Sequence, residues 1–381
     1  MTLEQEIISI RRHIHKNPEL GGNEYGTAKF IESKLKELKI PYKRIDTTGV
    51  IGTIEGSKQG KTIALRADID ALPVCENNNV EYKSTKPGIM HACGHDAHIA
   101  IMLGAAKLLQ QKKNELEGNV RFVFQPKEET SGGAEKMIKN GALKNPNVDF
   151  ILGTHVSPWL KSGKIGFKFD AMMAAVDELK INIIGKIAHG AYPHKGKDAM
   201  IAASTFITMV QSIISRELDP LEHAVITFGK ISGGDSYNVI CKEVTLEGTV
   251  RTFNNEIRSL IKTNILNKLK GIEISYGVKC AVKYNAIGNP LINTYEITKA
   301  CVKTAKEFYG KDNVEILDKP SMGGEDFSEY LRVIAGNFIY IGTSRNKQTS
   351  YPWHHSNFNI DETALPKAAK YIAYTVSEFL K

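Results

Sequence analysis

Residues 91–98 read His-Ala-Cys-Gly-His-Asp-Ala-His, which places three imidazoles, a thiol and a carboxylate within eight positions. A thiolate and an imidazole two residues apart, Cys93 and His95, can reach one metal ion from an irregular backbone. A lone Cys-x-His is as readily a polar loop around a buried cysteine. With His91, Asp96 and His98 alongside, metal binding is the stronger reading. A helical pattern follows, and a helix N-terminus favours ionisation of Cys93.

Other carboxylates and imidazoles stand at the ends of strand-like segments. RADIDALP (66–73) carries Asp68 and Asp70, QPKEET (125–130) carries Glu128 and Glu129, and His155 closes VDFILGTHV (148–156). In parallel α/β sheets the ligand crevice lies beyond the carboxyl ends of the strands. Each feature alone has an ordinary explanation: an Asp at a strand end makes a turn, and a Glu pair is solvated. Their common position favours a shared site. Clustered carboxylates raise one another's pKa values, and metal ions would remove that cost. SMGGEDF (321–327) and WHHSNF (353–358) matter only if the fold returns them to the same rim. GSKQGKT (56–62) imitates a phosphate-binding loop, but it has three residues between its glycines where the motif needs four, and a strand follows.

These residues need a scaffold. Residues 3–16 and 24–39 have helical periodicity, broken by Asn17-Pro18. Segments 61–68, 119–126 and 148–156 read as strands, with helical stretches around 96–113 and 133–140 between them. Apolar residues dominate these strands without alternating, so both faces should be covered. The order predicts a largely parallel sheet in an α/β fold. Near residue 177 the texture changes. A strand, a helix over about 197–216, two strands, a helix over about 254–270 and a strand near 272–283 form a βαββαβ series. That order predicts helices on one face of an antiparallel α+β sheet. The α/β texture returns after about residue 289 and ends in a helix near 361–380. Residues 1–178 and 289–381 are therefore expected to form one domain, with 179–288 inserted.

The 381 residues suit about two or three domains. With 42% apolar and 24% charged residues, the chain is neither disordered nor collagenous. No apolar run approaches the ~20 residues that span a bilayer, and the first residues lack a secretory apolar region. The cytoplasm is the expected compartment, with no membrane partner. Cys75, Cys93, Cys241, Cys280 and Cys301 are too few and scattered for a disulfide framework. Of the 50 cationic residues behind the net charge of +8, 40 are Lys, spread through apparent helices. That pattern is a solvated surface, with a mild attraction for anionic substrates at most. No nucleic-acid partner is expected.

Taken together, RADIDALP, HACGHDAH, QPKEE, LGTHV, GKIAHGAYPH, SMGGEDF and WHHSNF resemble, in that order, the amidohydrolase branch of the co-catalytic metallopeptidase superfamily. That branch includes hippurate hydrolases, bacterial aminoacylases, plant indole-acetyl-amino acid hydrolases and N-acetyldiaminopimelate deacetylases. The resemblance implies a zinc-aminopeptidase-like catalytic domain interrupted by a lid and dimerisation domain. It implies two divalent ions per subunit, with zinc or manganese first and cobalt or nickel next. Carried over by motif, Cys93, His95, Glu129, His155 and His354 would be the ligands, with His355 the lesser choice. Glu128 would be the general base and Asp70 a residue orienting a histidine ligand. His189 would stabilise the oxyanion, and Asn238 and Arg251 would bind the substrate carboxylate. The implied reaction is hydrolysis of an N-acyl amino acid, such as an N-acetyl or benzoyl derivative, by a metal-bridged hydroxide in a homodimer joined through the inserted domain. A dipeptidase or carboxypeptidase using the same site is the alternative. Lys127 and Cys241 depart from the family, which usually has Ala and Pro there.

Overall fold

The computed structural model describes all 381 residues. The chain begins α1 (Leu3–Lys16), α2 (Tyr25–Glu37), β1 (Tyr42–Ile45), β2 (Gly49–Glu55), β3 (Lys58–Asp68), α3 (His95–Gln111), β4 (Glu117–Gln125) and α4 (Gly133–Lys139). It continues β5 (Phe150–Lys161), β6 (Ile165–Phe167), β7 (Asp170–Met173), β8 (Ala175–Ile184), β9 (Ala188–His189), α5 (Ala199–Ser212), β10 (Ala224–Gly233), β11 (Val239–Ile240), β12 (Glu243–Thr252) and α6 (Asn255–Tyr276). It ends β13 (Lys279–Gly288), β14 (Leu291–Asn293), α7 (Tyr295–Tyr309), β15 (Val314–Ile316), α8 (Ser328–Leu331), β16 (Ala335–Ser344) and α9 (Ala364–Phe379). Two compact units result: Met1–Asp170 with Ile292–Lys319 and Asp326–Lys381, and Ala171–Leu291 with Pro320–Glu325.

The first unit is built on an eight-stranded sheet of order β1-β2-β4-β3-β5-β16-β6-β15. Its centre is parallel, β4 to β3 to β5 to β16, with antiparallel pairs toward both margins. Residues 62–68 of β3 are buried without a break, the signature of a strand covered on both faces. One layer is made by α1, α3 and α9, which pack on one another. Thr2 and Gln5 close a capping box at the start of α1. The helix then buries Ile7, Ile10 and Ile14 at helical spacing, with Arg11 and His15 on the same face.

In the second unit the βαββαβ series forms a wholly antiparallel sheet of order β10-β12-β8-β13. Strand β8 alternates, burying Leu179, Ile181 and Ile183 beneath α5 and α6. Asp177 on β8 is buried and accepts from Arg258 of α6 and Tyr284 of β13, which ties helix to sheet.

Two expectations need correction. Residues 272–276 are helical rather than extended, because Ile272 continues the buried stripe Ile261, Ile265 and Leu269 of α6. The helix stops where Gly277 adopts φ 62°, and β13 starts at Lys279. Strand β5 does not close at His155 but runs to Lys161, because β16 keeps pairing with it after β3 has ended its own pairing at Gly153. One helical stretch, Ala199–Glu217, is long and apolar enough to cross a membrane, with a mean hydropathy of 1.2. One face of it nevertheless packs on the inserted sheet through Ala202, Ala203, Phe206 and Val210.

Candidate metal centre

The GIMHACGH segment enters α3 through Gly94, at φ 92°. A Cβ there would lie 2.3 Å from Val156 Cγ2, so only glycine lets the loop pass this close to β5. The turn sets Cys93 and His95 on either side of the helix start. Cys93 Sγ is 3.4 Å from His155 Nε2. His155 Nδ1 donates to its neighbour's carbonyl, Val156 O, at 2.8 Å, which leaves Nε2 bare toward the cysteine.

The chain after β4 carries the two glutamates. Glu129 Oε1 is 3.8 Å from His95 Nε2 and 3.4 Å from His354 Nε2. The ligand atoms of Cys93, His95 and His155 lie within 4.8 Å of one another, as do those of Cys93, Glu129 and His354, and those of His95, Glu128 and Glu129. WHHSNF thus does return to the rim. His354 stands at φ 66° with its N–H bonded to Ala92 O. His355 turns away, stacked on Tyr351 and accepting from Asn357 N. Lys127 and Ser131, either side of the glutamates, also have positive φ, 59° and 60°. Such residues cost about 1–3 kcal/mol each and persist where the surroundings over-determine them.

A second layer orients the first. Asp70 Oδ2 accepts from Glu129 N at 3.0 Å, and its Oδ1 lies 3.3 Å from His95 Nδ1. His98 donates Nδ1–H to Asp68 at 2.6 Å and accepts from Val156 N. Arg66, fully buried, binds Asp68, Gln125 and Asp326, and Asp326 N in turn donates to Glu128 Oε1 at 3.4 Å. Sequence reasoning placed Asp68 among the strand-end carboxylates without a role and did not single out Arg66. The only sequence signal for Arg66 is the strand-end motif it shares with Asp68 and Asp70.

The electrostatics fit cations. Burial works against a charge on His95, but Asp68, Asp70 and Glu129 outweigh it and lift the imidazole to about 10. Burial and the neighbouring His98 keep His155 well below the ordinary histidine value. Cys93 does not behave as expected of a thiol at a helix start. Burial, then Glu129, Glu128 and Asp68, push it well above the ordinary thiol value. The carboxylates around it outweigh the helix terminus, and only a positive ion would reverse the balance. His95 Nε2 and Glu129 Oε1 are buried without hydrogen-bond partners, which is the state of atoms suited to coordinating an ion. A soft thiolate with imidazoles and carboxylates suits a borderline divalent metal.

The remaining predicted residues belong to the second unit. His189 lies on β9, paired with Val239 of β11. Gly190 N donates to Asn238 O at 2.7 Å, so His189 and Asn238 share one short ribbon. Arg251 is half-buried on β12, its Nε donating to Thr249 Oγ1. Cys241 is buried in that unit's core and donates to Glu243 O.

Comparison with known proteins places this arrangement. The chain is 43% identical over 381 residues to the N-acetyl-L-cysteine deacetylase of Bacillus subtilis, covering 100% of this chain and 89% of that protein. It is 36% identical to the hippurate hydrolase of Campylobacter jejuni, with 100% and 98% covered. Among solved structures, a Bacillus subtilis protein described as a dinuclear metal-binding peptidase of the M20 family superimposes with a TM-score of 0.86 at 36% identity, covering 99% of this chain and 98% of that one. The profile of peptidase family M20/M25/M40 matches residues 64–378. The chain is thus a hydrolase acting on amide bonds, and it belongs to peptidase family M20/M25/M40.

Proposed function

We propose that the protein hydrolyses the amide bond of N-acyl amino acids, releasing a carboxylate and a free amino acid. The observation that carries this reading is the set of overlapping clusters that join Cys93, His95, Glu129, His155 and His354, with Glu128 beside His95 and Glu129. Those five residues would hold two divalent ions, zinc or manganese first, cobalt or nickel next. When bound, the ions supply positive charge that acidifies water and polarises the scissile carbonyl.

Glu128 takes a proton from the attacking water and returns it to the leaving amine. Asp70 fixes the backbone of Glu129 and the ring of His95. His189 donates to the developing oxyanion. Arg251, with its planar fork, and Asn238 bind the free carboxylate of the amino acid. The unit carrying these three residues serves as lid and dimerisation domain. Its free strand β10 and the exposed apolar Met200, Ile201 and Ile231 support a homodimer. We place the enzyme in the cytoplasm, where its five unpaired cysteines would stay reduced, with no nucleic-acid or membrane partner.

Support for the acyl-amino-acid reading comes from two of these relatives, the N-acetyl-L-cysteine deacetylase and the hippurate hydrolase. A thermostable carboxypeptidase of Saccharolobus solfataricus, 37% identical, keeps peptides as the competing substrate. A panel of N-acetyl amino acids, hippurate and dipeptides with added manganese or zinc separates the two, and acyl amino acids should turn over fastest. Glu128→Gln should keep its metal and lose at least about 100-fold in kcat. Parental turnover in that variant would remove Glu128 from the role of base.

A further inference from the structure

Glu24 is a buried carboxylate with no part in the chemistry above. It precedes α2 at the N-cap position, yet its side chain caps nothing there. Instead it leaves its own helix with no exposed surface and accepts from two other elements. Oε1 receives the backbone N–H of Lys127 at 3.0 Å. Oε2 receives Thr48 Oγ1 at 2.7 Å, and Thr48 is itself buried.

The Lys127 contact matters because of where it falls. Lys127 is the left-handed residue immediately before Glu128 and Glu129. Asp70 accepts the N–H of Glu129 at 3.0 Å. Two carboxylates therefore grip alternate backbone amides, 127 and 129, and the Glu128 side chain leaves the backbone between them. The glycine turn before Glu24 completes the mould. A Cβ on Gly22 would lie 2.3 Å from Lys127 Cε, and one on Gly21 would lie 3.1 Å from Thr130 Oγ1 and 3.3 Å from Asp70 Oδ2. The Lys127 side chain thus lies over Gly22.

We infer that Glu24 is a positioning residue, which holds Lys127 in its left-handed conformation and thereby fixes the placement of Glu128 and Glu129. This inference rests on the roles proposed for those two glutamates. A buried acceptor that satisfies one backbone N–H and is itself anchored by Thr48 gives the strained turn a reason to persist. Displacing it should loosen the base and a metal ligand together, because both hang from the same turn.

The test compares Glu24→Ala, Glu24→Gln and Thr48→Val in the full chain, alongside the parent and Glu128→Gln. Each is measured for kcat and KM on the best substrate of the panel and, separately, for zinc affinity by chelator competition. Glu24→Ala should lose roughly 10- to 100-fold in kcat and in zinc affinity, with KM near the parent's. Glu24→Gln keeps a carbonyl acceptor for Lys127 N–H, so it should recover both to within a few-fold. Thr48→Val releases the far oxygen without opening a cavity and should show a smaller loss in the same two quantities. It remains informative if Glu24→Ala does not fold.

A merely structural role would lower the melting temperature and leave kcat and zinc affinity of the folded protein unmoved. That result in Glu24→Ala or in Thr48→Val overturns the inference, as does a Gln variant no better than Ala. If Glu128→Gln turns over like the parent, the assignment of the base has failed instead. Zinc affinity still decides the role of Glu24 toward Glu129.

Discussion

At the scale of single residues, the site depends on side chains that are unstable company without cations. Cys93 is the sharpest case. Burial and three surrounding carboxylates oppose its thiolate, while His155 Nε2 stands 3.4 Å away, turned toward it by the bond from Nδ1 to Val156 O. Cys93→Ala should therefore cost metal as well as activity. Elemental analysis of the purified variant should find fewer ions per chain than in the parent, and an unchanged metal content would contradict a ligand role for the thiol. Cys93 and His95 are legible as a candidate metal pair from their types and spacing, whereas Glu129, His155 and His354 enter as proposed ligands through the family resemblance. The residue types of WHHSNF do not say which rim the segment returns to, and the fold brings His354 Nε2 within 3.4 Å of Glu129. Glu24 was not legible at all. A glutamate before a helix reads as a cap, and its contact with Lys127, 103 positions away, leaves no local trace.

At the scale of elements, the loop that carries Cys93 and His95 is held by a clasp between α1 and α3. Arg11 Nε and His15 Nδ1 of α1 each lie 2.8 Å from Asp96 Oδ2, in the first turn of α3. His15 Nε2 reaches Glu76 Oε1 at 3.1 Å. Tyr82 faces the His15 ring edge-on, and His91 lies nearby. Burial and Arg11 lower the pKa of His15, but Asp96 and Glu76 prevail and raise it. A raised folded pKa means that the stabilisation is complete below the unfolded value, about 6.5. It is lost as pH rises through the folded value above that. His15→Gln should destabilise the protein by about 1.5–3 kcal/mol at pH 6, the range for hydrogen bonds to charged groups. The deficit should shrink at pH 9. Thermal unfolding of parent and variant at both values checks the sign, and a deficit that grows toward alkaline pH would sink the account. Sequence periodicity placed α1 and α3 but could not pair Arg11 and His15 with Asp96. It also ended α6 early, because Ile272 fits a strand as well as the helical stripe that the packed unit selects.

At the scale of the whole molecule, one surface asks for a partner. Strand β10 pairs only with β12 and leaves its other edge free over ten residues. Ile231 on that strand is 54% exposed, and Met200 and Ile201 of α5 are 45% and 54% exposed. The two elements are continuous, since α5 packs on β10 and a Cβ on Gly234 would lie 3.5 Å from Met200 Cε. The apolar stretch that resembles a membrane helix by hydropathy is thus half explained by the core beneath it and half unexplained without a partner. A long free edge flanked by exposed isoleucines is an aggregation hazard unless it is covered, and the proposed second copy would cover it symmetrically. Two antiparallel β10 strands would join the four-stranded sheets into one, with each α5 lying beside its mate. Sedimentation at micromolar concentration should give a mass near twice 42.2 kDa. Ile201→Glu combined with Ile231→Lys should bring that mass to one chain, because it sets buried charges against a self-complementary apolar patch. These substitutions lie far along the chain from every proposed ligand, so metal content should stay at the parent's level. A parent that sediments as a monomer, or a double variant that remains paired, would leave β10 as a solvent-facing edge and require another account of its isoleucines.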